Sequence, residues 1–245
     1  MAAAIARGWA AGPGGPAAML FYDIDAERAG ALAAEVEGET RASLAELRAG
    51  SDVLLLAVKP AALDAVAGEL DGKAPAILSV LAVTPLATVA GAFPEAPILR
   101  VMPNQPVEVR EGVICHPPPL AMPAELADGL IRLLDVLGVR VELADGLIDA
   151  AMAVMSCGPA YIAVFAESLA GAGVREGLEP RLASRLVAEA LAGTAALLRR
   201  REPGAIRAAV ASPGGATDAG LVALESAGFE RAVGAAVDAS LDRFR

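Results

Sequence analysis

Three short segments of the chain join reactive or ligand-seeking residues at spacings that suggest chemistry. The first, Ser212-Pro213-Gly214-Gly215-Ala216-Thr217, runs straight into the helical pattern DAGLVALESAG. Its adjacent glycines let backbone approach a ligand closely, and the free N–H groups opening the next helix form an anion site. A small carboxylate suits such a site, and the Thr217 hydroxyl beside it can donate or accept a hydrogen bond. The same residues also read as a plain helix N-cap after a glycine turn. The second segment, Ala57-Val58-Lys59-Pro60, closes an apolar run with a cation and a proline, a place where backbone can meet a flat cofactor ring. The third, Val101-Met102-Pro103-Asn104-Gln105-Pro106, stiffens a polar asparagine between two prolines.

The titratable residues narrow the chemistry further. The one histidine, His116, lies in CHPPPL and reads as a surface strand end. No serine stands in a G-x-S-x-G elbow, so a serine-histidine-acid triad has no support. Cys115 and Cys157 form neither a disulfide framework nor a metal-ligand spacing, which fits a reducing, cytoplasmic setting. No metal site is expected. Hydride transfer from a bound cofactor, helped by a hydroxyl, asks least of this residue set.

The elements that must position these segments follow from periodicity. Residues 18–22 (AMLFY) read as a strand that ends in the acidic turn Asp23-Ile24-Asp25. Residues 53–58 (VLLLAV) are the wholly apolar run of a strand covered on both faces of a parallel sheet. Further strands are expected at residues 76–80, 98–102, 112–116 and 139–143. Helices are expected at about 26–35, 44–49, 61–70 and 123–137, and the opening residues 1–11 also read as helix. Strands alternating with helices predict a doubly wound α/β sheet, whose ligands bind at the carboxyl ends of its strands. From Asp145 onward only helical patterns remain, so the chain divides into residues 1–144, α/β, and 145–245, all-helical. On the helix over 180–198, Leu182, Leu186, Ala190 and Leu191 make an apolar stripe that predicts helix-on-helix burial, between subunits as one reading.

Composition bounds the partners. A net charge of −10 disfavours nucleic acid and anionic membranes. The uncharged run 74–94 is long enough to span a bilayer, but Pro75, Pro85 and Pro94 break it, and strand, loop and short helix explain it better. No secretory signal is visible at the start. A soluble cytoplasmic protein is the expectation.

The segments AVKP (57–60), RVMPNQP (100–106), CGPAYIAVFAESLAGAGVREGL (157–178) and ASPGGATDAGLVALESAGF (211–229) together resemble pyrroline-5-carboxylate reductases. The resemblance runs in order along essentially the whole chain, and SPGGAT with its following L-x-x-L-E-x-x-G-F is the most specific part. It implies a Rossmann-type domain binding NADPH or NADH, then an all-helical domain that interlocks with a second subunit, with dimers commonly building decamers. It implies hydride delivery to the C=N carbon of 1-pyrroline-5-carboxylate, giving L-proline. By the same resemblance Thr217 hydrogen-bonds the ring nitrogen, and Ser212 with the backbone of Gly214, Gly215, Ala216 and Thr217 holds the carboxylate. Asp145 falls near substrate. Met1, Ala2, Asp23, Ala57, Val58, Lys59, Pro60, Leu81, Ala82, Pro103 and Asn104 fall along the cofactor.

The chain also departs from the family pattern. Ser79-Val80-Leu81-Ala82-Val83 stands where the family has S-x-A-G-V, and Gln105 stands where Thr is usual. Met1-Ala2 matches the end of the G-x-G-N-M-A turn, so the first strand and its phosphate-binding glycines are absent from the chain as written. Gly12, Gly14 and Gly15 follow the helix and make a loop instead. The expectation is that the natural start lies a short way upstream; an impaired homologue that keeps only the dimer scaffold is the alternative. Finally, Asp23 and Asp25 favour a free ribose 2′-hydroxyl and repel a 2′-phosphate, which predicts NADH over NADPH, with Arg28 as the opposing residue.

Overall fold

The structure is a computed structural model that describes residues 1–119 and 122–244. It comprises two compact units, Met1–Pro159 and Ala160–Arg243.

The first unit alternates helix and strand in chain order: α1 (Ala2–Ala10), β1 (Leu20–Phe21), α2 (Ala26–Glu35), β2 (Glu39–Thr40), α3 (Leu44–Ala49), β3 (Leu54–Leu56), α4 (Leu63–Glu69), β4 (Ile77–Ser79), α5 (Leu86–Ala92), β5 (Ile98–Arg100), β6 (Met102–Pro103), β7 (Gly112–His116), α6 (Ala124–Asp135), β8 (Gly138–Glu142) and α7 (Ile148–Met155). Strands β3, β4 and β5 form a parallel ladder in which Leu56, Ser79 and Arg100 mark the carboxyl end. β1 and β2 form a separate parallel pair, and β6, β7 and β8 a third ladder in which β6 runs antiparallel to β7. Among the described residues no strand joins the β1–β2 pair to β3.

Alternation along the strands sends side chains to both faces. Leu54, Leu56 and Ile77 meet Leu63 and Ala67 of α4 and Val89 of α5, with Phe93 at their end. Leu78, Val80, Leu99 and Ile114 pack on the other side against Ala4 and Ile5 of α1 and Leu130 and Leu134 of α6. This two-sided burial is what the apolar run 53–58 predicts. The expected single sheet is observed as three ladders: the chain leaves the β5 ladder after Val101 and re-pairs on β7, and no described strand pairs between the β1–β2 pair and β3. β2 is a strand that residue pattern does not foretell, since Glu39 and Thr40 are both exposed. The apolar run 74–94 resolves into β4, a loop and α5.

Helix α1 is fixed at its carboxyl end. Arg110, itself left-handed at φ 61°, donates to the carbonyls of Gly8 (2.7 Å), Trp9 (3.2 Å), Gly12 (2.6 Å) and Pro13 (3.2 Å). A cation there suits the negative end of the helix dipole. Gly8 is required for this approach, because a side chain would collide with the Val107 carbonyl. At the side, Arg7 pairs with Glu35 of α2 and with Glu108. The Arg7 hydrogen bond holds the Glu35 carboxyl below its usual range.

His116 departs from its expected surface position. It is fully buried, its Nδ1 lies 2.9 Å from the Pro117 carbonyl, and Arg140 reaches its Nε2 at 3.2 Å. Two satisfied ring nitrogens explain how a polar ring can sit inside.

The second unit is helical throughout: α8 (Gly158–Arg175), α9 (Pro180–Leu198), α10 (Pro203–Val210), α11 (Ala216–Ser226) and α12 (Phe229–Phe244). Glu179 caps α9 by accepting from the Leu182 amide at 2.9 Å, with Pro180 in the first turn. Tyr161 of α8 reaches the Ala236 carbonyl (3.2 Å) and Ser240 (2.6 Å) of α12. Within α9 only Ala183 and Val187 are buried. The predicted stripe residues Leu182 and Leu186 are 46% and 51% exposed, so the described residues cover them only in part. Although strand patterns stop near residue 143, α7 packs with the α/β unit through Ile148 and Met152.

Candidate active site

The carboxyl end of the β3–β4–β5 ladder gathers most of the residues expected to line a cofactor. After β3, Val58, Lys59 and Pro60 are exposed and Ala57 half-buried, so this loop presents an open backbone surface. After β4, Leu81 is buried in the core while Ala82 is half-buried. The Thr84 hydroxyl donates to the Ala82 carbonyl at 2.9 Å, and Val83 holds a left-handed φ of 53°, which makes this loop tight without a glycine. Leu81 can therefore offer a ligand only its main chain.

Pro103 and Asn104 are buried, and both are tied to the carboxyl end of α7. The Asn104 Nδ2 donates to the Met155 carbonyl at 3.0 Å, and its Oδ1 accepts from the Val113 amide at 2.9 Å. The Ser156 hydroxyl donates to the Pro103 carbonyl at 3.1 Å. The Asn104 side chain is thus engaged at both ends within the protein. Apart from the exposed Gln105, what the 101–106 segment can show a ligand is backbone and ring edges.

Arg100, which residue pattern does not single out, is the centre of the polar network here. It ends β5 with 1% of its surface exposed. Its Nη1 donates to Asp145 Oδ1 at 2.9 Å, and its Nη2 to Asp149 Oδ1 at 3.1 Å. The second Asp145 oxygen accepts from the Leu86 amide, the first of α5, at 3.2 Å. Asp145 keeps 31% of its side chain exposed, so it remains open to a ligand. Burying a guanidinium requires such partners, since an unpaired buried charge is strongly unfavourable.

Asp23 and Asp25 form the turn after β1. Asp23 Oδ1 accepts from the Asp25 amide (2.9 Å), and Asp25 caps α2 by accepting from the Arg28 amide (3.2 Å). The Arg28 guanidinium folds back onto both carboxylates, 3.6 Å from Asp23 and 3.2 Å from Asp25. The amino end of α1, with Met1 exposed and Ala2 half-buried, has no side-chain cap, leaving opening amides for an anion. An uncapped helix start, a carboxylate at a strand end and an open loop at 57–60 fit a nicotinamide dinucleotide. Gly12, Gly14 and Gly15 lie beyond α1, in the connection to β1, as expected.

In the helical unit, the 212–217 loop is shaped for a small anion. Gly214 takes φ 71°, a conformation that favours glycine, and the Gly215 amide donates to the Ser212 carbonyl at 2.9 Å. The Gly214 amide is held by Asp218 Oδ2 at 2.9 Å. Gly215 is the N-cap of α11 and supplies no side-chain cap. The amides of Ala216 and Thr217 therefore begin the helix without a side-chain partner at the cap, and the hydroxyls of Ser212 and Thr217 are exposed beside them. No metal-binding cluster occurs among the described residues, and Cys115 and Cys157 are free. Burial pushes the Cys115 thiol up.

Comparison with known proteins identifies the family. Residues 145–245 match the profile described as pyrroline-5-carboxylate reductase dimerisation, and residues 1–83 that described as NADP oxidoreductase, coenzyme F420-dependent. The chain is 39% identical over 197 residues to a pyrroline-5-carboxylate reductase of a Synechocystis species, covering 79% of this chain and 74% of that one. It is 34% identical over 254 residues to the Pseudomonas aeruginosa enzyme, covering 99% and 92%. The solved 1-pyrroline-5-carboxylate reductase of Streptococcus pyogenes superposes with a TM-score of 0.90 at 28% identity, covering 100% of this chain and 94% of that one. A Plasmodium falciparum pyrroline carboxylate reductase with NADP bound gives 0.80 at 25% identity, covering 98% and 92%. These matches span both units and do not favour the scaffold-only alternative. With a Rossmann-like nucleotide unit followed by a helical dimerisation unit, the chain belongs to the pyrroline-5-carboxylate reductase family of nicotinamide-dependent oxidoreductases.

Proposed function

We propose that this chain reduces 1-pyrroline-5-carboxylate to L-proline with a nicotinamide cofactor. The single observation that carries the reading is the 212–217 loop: a left-handed glycine, an uncapped helix start and two exposed hydroxyls, in a chain of this family. The amides of Ala216 and Thr217, with the Ser212 hydroxyl, hold the substrate carboxylate, while Gly214 and Gly215 shape the loop. The Thr217 hydroxyl donates to the ring nitrogen and so raises the electron demand of the C=N carbon. A nicotinamide bound there would supply the hydride for this carbon, with the ring nitrogen taking a proton from solvent.

The residues that would hold the cofactor are Met1 and Ala2 at the α1 amino end, the Asp23 turn, residues 57–60, the backbone of Leu81 and Ala82, and Pro103 and Asn104. Asp145 faces the substrate side with the part of its carboxylate that remains exposed. NADH is the preferred donor. Asp23 and Asp25 accept from a ribose 2′-hydroxyl and repel a 2′-phosphate, and Arg28 is already neutralised by both carboxylates.

The protein works as a soluble cytoplasmic homodimer or higher oligomer, without nucleic acid or membrane partners. Ile162, Val164, Leu182, Leu186 and Phe229 are exposed large apolar residues of the helical unit, and a second copy covers them. The stretch Asp145–Arg175 has the length and hydropathy of a membrane span, yet its surface is explained by that helix-on-helix contact. Sedimentation equilibrium without detergent checks this assignment.

Steady-state rates with 1-pyrroline-5-carboxylate test the enzyme reading and the cofactor together. The expected result is turnover with both nucleotides and a kcat/KM at least about tenfold higher for NADH, equal to about 1.4 kcal/mol of discrimination. A clear preference for NADPH overturns the cofactor assignment, and no turnover by folded protein overturns the activity.

A further inference from the structure

We infer that Arg100 is a positioning residue for hydride transfer: one buried cation locks together the two loops that border the nicotinamide. This inference rests on the proposed function for which loops those are, but the lock itself is visible without it. Arg100 and Ser79 are paired in register at the carboxyl ends of β5 and β4. Alternation puts them on the sheet face of Ile77 and Ile98, the face that α5 covers.

From there the guanidinium reaches in two directions. Through Asp145 it holds the Leu86 amide, and hence the end of the loop over residues 80–85, at distances of 2.9 and 3.2 Å. Through Asp149, in the first turn of α7, it holds the amino end of that helix at 3.1 Å. The carboxyl end of α7 then holds Asn104 and Pro103 by way of the Met155 carbonyl (3.0 Å) and the Ser156 hydroxyl (3.1 Å). Helix α7 is thus fixed at one end by Arg100 and at the other by the segment 102–104.

Two features separate this arrangement from an ordinary structural ion pair. The Arg100 Nε and the Ser79 Oγ are both buried without a partner among the described residues, though they share a register position. A purely stabilising site would more simply be apolar, because replacing a buried ion pair with well-packed apolar residues is often neutral or better. The lock also adds a side-chain tie, through Asp145, Asp149 and α7, between segments 80–85 and 102–104, whose backbones already meet where the Val101 amide donates to the Ser79 carbonyl at 2.8 Å. A planar fork with several fixed donors can do this, whereas the single ammonium of lysine cannot reach both carboxylates in the same geometry.

The test compares the full chain with Arg100→Lys and with Asp149→Asn, which cuts one arm at its more exposed end. Amide hydrogen exchange reads the lock directly. In Arg100→Lys, exchange over residues 80–86 and 102–106 rises together, while β7 and the helical unit stay protected. With 1-pyrroline-5-carboxylate, kcat falls about 10- to 100-fold, as for a small misplacement of reacting groups. The primary isotope effect with NADH deuterated at the transferred position rises, and NADH affinity holds within about threefold. Asp149→Asn shows the same changes more weakly, and it keeps the question open to experiment if Arg100→Lys fails to fold. Unchanged exchange in either segment overturns the inference. So do a parental kcat and isotope effect per folded molecule. If the parent protein itself does not reduce the imine, the functional reading fails, and the exchange comparison alone decides whether Arg100 is the lock.

Discussion

Thr217 and Arg100 show how differently two side chains can announce themselves. Thr217 stands in a local motif, two glycines and a helix start within a few residues, so its environment follows from its neighbours in sequence. The structure places it exposed beside an uncapped helix start. Arg100 and Asn104 take their partners from positions 45 and 51 residues away, and no local pattern encodes such distances. The same holds for His116, whose burial depends on Arg140 from the neighbouring strand. Asn104 was legible as a special residue, being polar between prolines, but not legible as a bracket for α7. For Thr217 the prediction is direct. Thr217→Ala removes the hydrogen bond donated to the imine nitrogen, which gains negative character as hydride arrives and makes that bond worth about 1.5–3 kcal/mol, so kcat/KM for the imine falls about 10- to 100-fold. NADH affinity, measured by fluorescence titration, stays at the parental value; an unchanged kcat/KM removes Thr217 from the reaction.

Strands and helices were legible where burial imposes a period. Leu54–Leu56, Ile77–Ser79 and Gly112–His116 fall inside or on the predicted runs because both sheet faces are covered. β2 escaped because an exposed two-residue edge carries no apolar signal. The break between β5 and β6 escaped because Val101 continues the apolar run while the backbone changes partner. Backbone geometry supplies what residue pattern omits, and Gly138 is the clearest case. It opens β8 at φ 143°, and a side chain there would collide with Gly112 across the β7–β8 ladder. Gly138→Ala therefore destabilises the α/β unit by at least about 1–3 kcal/mol from backbone strain alone. Urea denaturation followed by circular dichroism reads this as a lower midpoint. A parental midpoint contradicts the close approach of β7 and β8.

For the molecule as a whole, the proposed chemistry draws on residues of both units. The α/β unit offers a two-sided sheet whose carboxyl edge carries open backbone, an acidic turn and the Arg100 network. The helical unit offers an anion-shaped loop and an apolar surface that its own residues leave uncovered. Strand patterns stop near residue 143, whereas the two compact units divide after Pro159, so that α7 stays with the α/β unit. What local pattern could not supply was that α7 packs back onto the sheet, since that rests on Ile148 and Met152 meeting Met102 and Cys115. The central claim is that hydride passes from nicotinamide to the C=N carbon of a cyclic imino acid. Its most direct test is isotopic: purified protein is incubated with 1-pyrroline-5-carboxylate and NADH deuterated at the reactive carbon, and the product is examined by NMR and mass spectrometry. The account predicts L-proline carrying deuterium on the ring carbon that was double-bonded to nitrogen. Folded protein that yields no proline, or proline without deuterium there when donors labelled on either face are used, contradicts it.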